Sequence, residues 1–263
     1  MRPLLLASAL ALAALPAAAQ EMAPAQSMPA PSMPAQSSPF SDAERAALHA
    51  EIRAYLLAHP ELLMEMMQLL EAQQQAEQAR TDQDLVAANA AELFDDGFSY
   101  VAGNPEGSLT IVEFLDYQCG FCRRAQPEVK ELLASDGDIR LIVKEMPILG
   151  PGSELAARAA VATLITEGPE AYARLHERLM TIPGQITDQS LDAALTDLGL
   201  DPAAIRTAMQ DPEVERRLAA TRGLAEKLAI AGTPTFVFEN RMVRGYLPLE
   251  QMRGLIADLR APG

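Results

Sequence analysis

The chain contains two cysteines, Cys119 and Cys122, which lie close together in the stretch L-D-Y-Q-C-G-F-C-R-R. A pair with this spacing can form a reversible disulfide, supply half of a tetrahedral zinc site, or close a small structural loop. The residues elsewhere in the chain decide among these three chemistries.

A closed zinc site needs four ligands, and the chain has no second cysteine pair. The three histidines, His49, His59 and His176, are scattered through helical segments without ligand spacing, so no metal is expected. A purely structural disulfide here would close a loop of very few residues, which constrains the unfolded chain least. The pair is therefore predicted to be redox-active, without a cofactor.

The cysteines are predicted to lie where a strand meets a helix. L-T-I-V-E-F before them is a short, β-branched run typical of a buried strand, and the residues after Cys122 favour a helix. This places both sulfurs on one face of the first helical turn. The unpaired N–H groups and positive dipole end of the helix would stabilise a thiolate at Cys119. The thiolate is the species that attacks disulfides.

The elements around this junction indicate an α/β domain. S-Y-V-A-G precedes it as a first strand, and D-I-R-L-I-V-K-E follows as another. Helical patterns alone fill residues 153–230, with Pro169, Pro202 and Pro212 where helices would start. The chain then returns to strand with T-F-V-F-E and M-V-R-G and ends in a helix from about Pro248.

The amino-terminal residues 1–19 have the anatomy of a secretory signal peptide. One positive residue precedes an apolar run from Leu4 to Leu15, and small residues allow cleavage after Ala19. The apolar run is shorter than the roughly 20 residues that a membrane span needs, which disfavours an anchor. The predicted location is the bacterial periplasm, where disulfides are permitted.

Residues 20–40 are rich in Pro, Ala, Ser and Gln and are predicted to be a disordered linker. Its methionines Met22, Met28 and Met33 are soft ligands of the kind that hold Cu(I), although the composition favours a plain tether. The chain carries 21 basic and 36 acidic residues, a formal net charge of −15, which repels nucleic acid and anionic lipid. Nucleic acid is therefore not an expected partner.

Residues 41–80 are predicted to be helical. S-D-A-E forms a capping box at Ser41 with Glu44, and Pro60 should interrupt or restart the helix. The apolar positions recur at helical spacing, at Ile52, Tyr55, Leu62, Met66 and Leu69. This stripe either packs back on the main domain or meets other copies of the chain. We favour self-association, because a polar segment after Leu70 separates the stripe from the main domain.

Three features together resemble the DsbA-like thiol-disulfide oxidoreductases of the thioredoxin superfamily. They are E-F-L-D-Y-Q-C-G-F-C, Pro127 five residues after Cys122, and G-T-P-T-F-V-F, which is similar to the segment whose proline follows a cis peptide bond. The resemblance covers residues 93–260. It implies an α/β thioredoxin fold with a helical insertion, preceded here by an α-helical amino-terminal segment.

The resemblance also implies roles. Cys119 would be the nucleophile, Cys122 the resolving cysteine, and Thr233 and Pro234 would line the substrate site. Glu113 matches a buried acidic position that helps proton traffic in this family, although the residue alone is equally consistent with an exposed strand carboxylate. The substrates would be cysteine-containing exported proteins, and a membrane redox partner would recycle the cysteines.

The segment I-R-A-Y-L-L-A-H-P-E-L-L-M-E-M-M-Q-L-L-E resembles the helices of the ScsC-like and Com1-like branch, some members of which oligomerise and some of which are linked to copper tolerance. Gly120 and Phe121 stand where strong oxidants of the family usually carry a histidine, so a less oxidising disulfide is expected. The favoured function is an oligomeric disulfide isomerase. A monomeric DsbA-type dithiol oxidase and a periplasmic copper-binding protein are the alternatives.

Overall fold

The computed structural model describes residues 39–261. The predicted signal peptide, residues 1–19, and residues 20–38 of the predicted linker with its three methionines lie outside the described residues. Contacts divide the chain into two units at Leu63 and Met64, and each is described by itself. Within residues 39–261, no helix is both long and apolar enough to cross a membrane.

The amino-terminal unit contains α1 (Asp42–Ala58) and the start of α2 (Glu61–Ala88). The predicted capping box is present, with the Ser41 hydroxyl accepting from the Glu44 N–H at 3.4 Å and the Glu44 carboxylate accepting from the Ser41 N–H at 2.8 Å. Pro60 lies between the two helices, as predicted. α1 buries none of its residues. The exposed apolar side chains of α1 include Leu48, Ile52, Tyr55, Leu56 and Leu57.

In the second unit, the polar run after Leu70 is helical, because α2 continues to Ala88. The sequence predicted a solvated helix or linker here, yet Asp82 and Val86 are buried. Arg244 donates two hydrogen bonds to the Asp82 carboxylate, at 2.6 and 2.9 Å. The last turns of α2 therefore pack against the sheet, amino-terminal to the predicted domain start at residue 93.

The remaining elements follow in the predicted order. The strands are β1 (Tyr100–Gly103), β2 (Leu109–Leu115), β3 (Ile139–Glu145), β4 (Thr235–Phe238) and β5 (Arg241–Arg244). The helices are α3 (Ala90–Phe94), α4 (Gly120–Ser135), α5 (Pro151–Thr166), α6 (Pro169–Met180), α7 (Asp188–Asp197), α8 (Pro202–Ala208), α9 (Pro212–Lys227) and α10 (Leu249–Arg260). Proline opens α5, α6, α8 and α9, where its missing N–H would be unpaired in any case.

The strands form one mixed sheet in the order β1-β3-β2-β4-β5. β2 and β3 are parallel, and the other three pairs are antiparallel. Leu115 and Val143 face the core under α4 and the inserted helices, whereas Val112 and Phe114 face a second core with the end of α2. β2 and β3 are buried on both faces, which explains the nearly continuous apolar sequence of β2 and the apolar centre of β3. The predicted thioredoxin fold with a helical insertion is confirmed.

One buried ion pair connects β3 to the segment before β1. The Lys144 side chain is 1% exposed, and its ammonium donates to the Asp96 carboxylate at 2.5 Å and to the Glu92 carbonyl at 2.9 Å. Burial lowers the pKa of Lys144, and the Asp96 carboxylate opposes that shift. The ammonium therefore depends on Asp96 for its only carboxylate partner among the hydrogen bonds of the described chain.

We expect the substitution Asp96→Ala to lower the free energy of unfolding by about 3 kcal/mol, because it leaves a buried ammonium unpaired. Urea denaturation at neutral pH measures the change. The matched control is Glu177→Ala, which removes the exposed partner of Lys130 and should cost less than about 1 kcal/mol. Equal losses in the two variants would contradict this account of the buried pair.

Candidate active site

The two cysteines lie at the predicted junction between a strand and a helix. β2 ends at Leu115, a short turn follows, and Cys119 is the N-cap residue of α4. Its N–H donates to the Asp116 carbonyl at 3.0 Å, which closes the turn. Cys119 is 6% exposed, and Cys122, one helical turn later, is fully buried.

The Asp116 carboxylate fixes the position of this turn. It is buried and accepts four hydrogen bonds. The donors are the N–H groups of Gln118 (2.7 Å), Ile148 (2.8 Å) and Leu149 (3.0 Å) and the hydroxyl of Ser153 (2.7 Å). Asp116 thereby joins the turn before the cysteines to the loop after β3 and to the first turn of α5.

Arg123 and Arg124 follow the cysteine pair directly. The Arg123 Nε donates to the Tyr117 carbonyl at 2.6 Å, and its guanidinium reaches the Gly184 carbonyl at 3.3 Å. Arg124 lies over the Tyr246 ring, 4.5 Å from its centroid. Arg123 therefore ties the turn to the loop after α6, a positioning role that the sequence did not indicate.

The segment containing Thr233 and Pro234 lies against Cys119, although 114 residues separate Thr233 from it in sequence. The Cys119 Sγ lies 3.1 Å from the Thr233 carbonyl oxygen. The Thr233–Pro234 peptide bond is cis, and Pro234 is buried. The structure thus brings together two of the three motifs on which the resemblance rested, the cysteine pair and the G-T-P-T-F-V-F segment.

The pKa values of the two thiols are shifted in opposite directions. A hydrogen bond from the Cys122 side chain is the largest cause that lowers the pKa of Cys119 to about 5, against the opposing effect of burial. Hydrogen bonds from the backbone of Cys122 and Phe121 and from the Thr233 side chain lower it further. The same thiol contact, followed by burial, raises the pKa of Cys122 far above its ordinary value. At neutral pH Cys119 is therefore a thiolate and Cys122 a thiol.

Glu113 is buried on β2 and is 1% exposed, so the structure excludes the alternative of an exposed strand carboxylate. Neither of its carboxyl oxygens has a hydrogen-bond partner within residues 39–261. Burial, aided by the charge of Glu145, raises the pKa of Glu113 to about 8. The charge of Glu113 in turn contributes to the raised pKa of Cys122. The two groups are therefore electrostatically coupled.

Sequence reasoning missed a buried polar cluster next to Glu113. The hydroxyls of Tyr117 and Tyr172 donate to Glu145 Oε1, at 2.7 and 2.5 Å, and the Tyr117 oxygen lies 3.0 Å from His176 Nδ1. Burial raises the pKa of Glu145 to about 7, which the two tyrosine hydroxyls partly oppose. The one signal in the sequence was a glutamate at the end of the apolar run L-I-V of β3.

Exposed apolar side chains lie between the cysteines and on the loop that Asp116 joins to the turn before them. Phe121 is 58% exposed, Leu149 is 53% exposed, and Ile148 is 40% exposed. A cleft beside them is lined by Gln118, Leu149, Pro151, Gly152, Leu155 and Ile186. Among residues 39–261, no group of three or more His, Cys, Asp or Glu side chains is arranged to hold a metal ion.

Two family models match the chain. The model of the DSBA-like thioredoxin domain matches residues 110–257, and that of the copper resistance protein ScsC N-terminal domain matches residues 44–77. The first match contains the cysteine pair and the cis-proline segment. The second lies within the predicted helical segment, residues 41–80.

Solved structures support the first match. A thioredoxin-like oxidoreductase from Silicibacter pomeroyi is 39% identical, with a TM-score of 0.62 over 66% of this chain and 98% of that chain. BcfH from Salmonella enterica Typhimurium is 26% identical, with a TM-score of 0.69 over 83% of this chain and 97% of that chain.

A curated relative, the Na(+)/H(+) antiporter NhaA 1 of Salinispora arenicola, is 28% identical over 162 residues, which are 60% of this chain and 24% of the antiporter. This chain thus spans about a quarter of the length of the first curated relatives that it matches.

The acidity of Cys119 predicts how the stability of the reduced protein changes with pH. Its pKa is about 5 in the folded chain and about 8.5 in an unfolded one. A depressed pKa adds stability that is full above the unfolded value and is lost as the pH falls through the folded value. The free energy of unfolding of the reduced wild type should therefore rise between pH 5 and 8, relative to Cys119→Ala. Urea denaturation with reductant present checks this, and parallel curves for the two proteins would contradict it.

Proposed function

The chain belongs to the family of DSBA-like thioredoxin domains, and on that premise we propose that it is an exported thiol-disulfide oxidoreductase acting on cysteine-containing exported proteins. One observation carries the proposal: beside the Thr233–Pro234 segment, the pKa of Cys119 is lowered and the pKa of Cys122 is raised. The pair supplies a thiolate ready to attack and a thiol held in reserve. Both are needed for exchange through a mixed disulfide.

The proposed reaction has two exchange steps. The Cys119 thiolate attacks one sulfur of a substrate disulfide, forms a mixed disulfide and releases the other substrate sulfur as a thiolate. Cys122 then gives its proton to Glu113 and attacks the Cys119 sulfur, which releases the substrate and leaves the enzyme oxidised. The reverse sequence oxidises a substrate dithiol. In isomerisation, another substrate cysteine attacks the mixed disulfide first, and the enzyme returns to its dithiol form.

The proposed substrate site is formed by Thr233 and Pro234 together with the apolar side chains of Phe121 and Leu149. Thr233 lies at the Cys119 sulfur, and Phe121 and Leu149 are both more than half exposed. An extended peptide laid along the cis-proline segment would bring its disulfide to Cys119, a form of strand addition. Exposed apolar groups beside it suit unfolded or misfolded substrates, whose apolar residues are accessible.

We favour an isomerase that acts as a homo-oligomer through residues 41–80. α1 buries none of its residues, and its apolar side chains Leu48, Ile52, Tyr55 and Leu56 recur on one helical face. A second copy of the same amphipathic segment is the partner that covers such a stripe with matching apolar residues. The match to the ScsC N-terminal domain covers this segment.

A monomeric dithiol oxidase is the second candidate, and the acidity of Cys119 favours it. A thiolate with a pKa of about 5 is a good leaving group, which makes the disulfide form more oxidising. This runs against the milder potential that the Gly120–Phe121 dipeptide led us to expect. The periplasm and recycling by a membrane redox partner belong to both proposals. Copper binding by the reduced cysteines is a further alternative, supported by the match of residues 44–77 to the copper resistance protein ScsC N-terminal domain.

We expect wild-type protein to restore activity to a substrate refolded with scrambled disulfides, and Cys119→Ala to lose this activity completely. Cys122→Ala should keep the attack step and accumulate a covalent mixed disulfide, because no resolving thiol remains. Enzyme assay of the refolded substrate and non-reducing electrophoresis measure the two outcomes. Activity that persists in Cys119→Ala would sink the proposal.

The double variant Ile52→Lys with Leu56→Lys should convert the oligomer to single chains, because two charges then lie on the apolar stripe. Light scattering gives the mass per particle, which should drop to that of one chain. The isomerase activity should fall with the mass, whereas the activity that oxidises a reduced peptide should persist. The control is Ala54→Lys on the opposite face of α1, which should leave the mass unchanged. If the wild type is already a single chain, the oligomeric isomerase is wrong and the oxidase stands.

A further inference from the structure

Two buried carboxyl groups lie on the face of the sheet that α4 covers. Parallel pairing sets Glu113 of β2 opposite Val143 of β3, and Leu115 opposite Glu145. Side chains directly opposite each other, or two residues apart along a strand, share a face. Glu113 and Glu145 are therefore diagonal neighbours on one face, with Cα atoms roughly 8 Å apart by standard strand spacings.

The two carboxyl groups have unequal hydrogen-bond partners. Neither oxygen of Glu113 has one within residues 39–261, whereas Glu145 Oε1 accepts from two tyrosine hydroxyls. A carboxylate charge is therefore better stabilised at Glu145, in accord with a pKa of about 7 there and about 8 at Glu113. Each charge disfavours the other in a dry site, so the groups titrate as a pair.

The hydrogen bonds among Glu145, Tyr117 and His176 need one more hydrogen than these groups carry when Glu145 is ionised. His176 Nε2 lies 3.1 Å from the Gln126 Oε1, which only accepts, so Nε2 carries the hydrogen and Nδ1 of the neutral ring accepts. Tyr117 then has one hydrogen for two acceptors, His176 Nδ1 and Glu145 Oε1. A proton on Glu145 Oε1 gives each of these contacts a hydrogen, because Oε1 donates to Tyr117 and Tyr117 donates to His176, whereas Glu145 Oε2 has no partner within residues 39–261.

The cluster also reaches the surface. His176 and Gln126 line a cleft together with the exposed side chains of Lys130 and Glu177. A proton on Glu145 can therefore exchange with water through Tyr117 and His176, while both carboxyl groups stay out of contact with solvent. Burial lowers the pKa of His176 to about 4, so the ring is neutral and can both accept and donate.

No basic side chain neutralises Glu145 among the groups packed around it in the described chain. Arg217 lines the same cavity as Glu145 but is bonded to the Glu213 carboxylate and the Phe98 carbonyl. Lys144 is bonded to Asp96. The titratable and charged groups facing this cluster are Tyr100 of β1, Glu113 of β2, Asp116 and Tyr117 after it, Tyr172, His176 and Glu177 of α6, and Arg217 of α9.

We propose that Glu113 and Glu145 share one proton at neutral pH, and that Glu145 thereby sets the pH at which Glu113 accepts the proton of Cys122. This rests on the proposed role of Glu113 in resolving the mixed disulfide. When the shared proton lies on Glu145, Glu113 is ionised and takes the Cys122 proton. The pair then holds two protons and releases one to water through Tyr117 and His176. Glu145 acts through Glu113 and is a positioning residue.

The two exchange steps can be separated with 5,5′-dithiobis(2-nitrobenzoate) in a stopped-flow spectrophotometer. The first release of thionitrobenzoate depends on reagent concentration and reports attack by Cys119, and the second does not and reports resolution by Cys122. From pH 5 to 9, the rate of the second release in wild type should fall as the pH is lowered. This acid limb of the rate–pH curve should span a wider pH range than the titration of a single group does. In Glu145→Gln the acid limb should narrow to the titration of a single group. Its midpoint should move roughly one pH unit lower, because the Glu145 charge that raised the pKa of Glu113 is gone.

A second variant tests the same proposal in case the first does not fold. Tyr172→Phe removes one donor to Glu145, which raises the pKa of Glu145, keeps it neutral to higher pH and so moves the limb of Glu113 in the same direction by less. The first release should be unchanged in both variants. A folded variant of either kind whose limb coincides with that of wild type would overturn the shared proton.

Glu113→Gln separates this inference from the proposed function on which it rests. It should slow the second release at least about tenfold at pH 7, because the base that takes the Cys122 proton is gone. If the second release is unchanged, the proposed role of Glu113 fails, and the shared proton fails with it. If Glu113→Gln slows the second release while Glu145→Gln and Tyr172→Phe leave the limb in place, the shared proton alone is wrong.

Discussion

The Cys122 side chain donates a hydrogen bond to the Cys119 sulfur, and the chemistry of the site depends on this contact. It is the largest cause of both the low pKa of Cys119 and the high pKa of Cys122, and the roles proposed for them as nucleophile and resolving cysteine depend on this difference. The contact exists because Cys119 is the N-cap of α4 and Cys122 lies one turn later. Asp116 and Arg123 hold the turn that begins the helix, and neither touches the sulfurs through its charged group.

The same contact creates a problem that the carboxyl groups address. A thiol stabilised in its neutral form is slow to attack, so resolution of a mixed disulfide needs a base close to Cys122. Glu113 is buried on the face that α4 covers, without a hydrogen-bond partner among residues 39–261, and its raised pKa makes its ionised form a stronger base. Glu145 of β3 lies next to Glu113 on the same face of the sheet. Its partner Tyr117, in the turn after β2, connects it to the surface through His176 of α6.

Local patterns in the sequence predicted much of this structure. The capping box at Ser41, the break at Pro60 and the prolines that open α6, α8 and α9 depend on neighbouring residues alone, and all are confirmed. The order of strands and the strand-to-helix junction followed from periodicity and from motif resemblance. These features need no knowledge of long-range contacts.

What the sequence did not indicate depends on long-range pairing. The diagonal placement of Glu113 and Glu145 follows from the register of β2 with β3, which no single segment encodes. In the sequence, nothing distinguishes His176 from the other two histidines. Its contact with Tyr117 depends on the packing of α6 beside the turn after β2. The burial of Asp82 likewise depends on Arg244, 162 residues away, although its own segment reads as solvated.

The absorbance of the reduced protein at 240 nm, followed from pH 3 to 10, tests the central claim most directly, because a thiolate absorbs there and a thiol does not. We expect one thiolate with a midpoint at about pH 5, absent from Cys119→Ala, and no second thiolate at neutral pH. A midpoint near the ordinary thiol value of about 8.5, or two thiolates forming together, would contradict it.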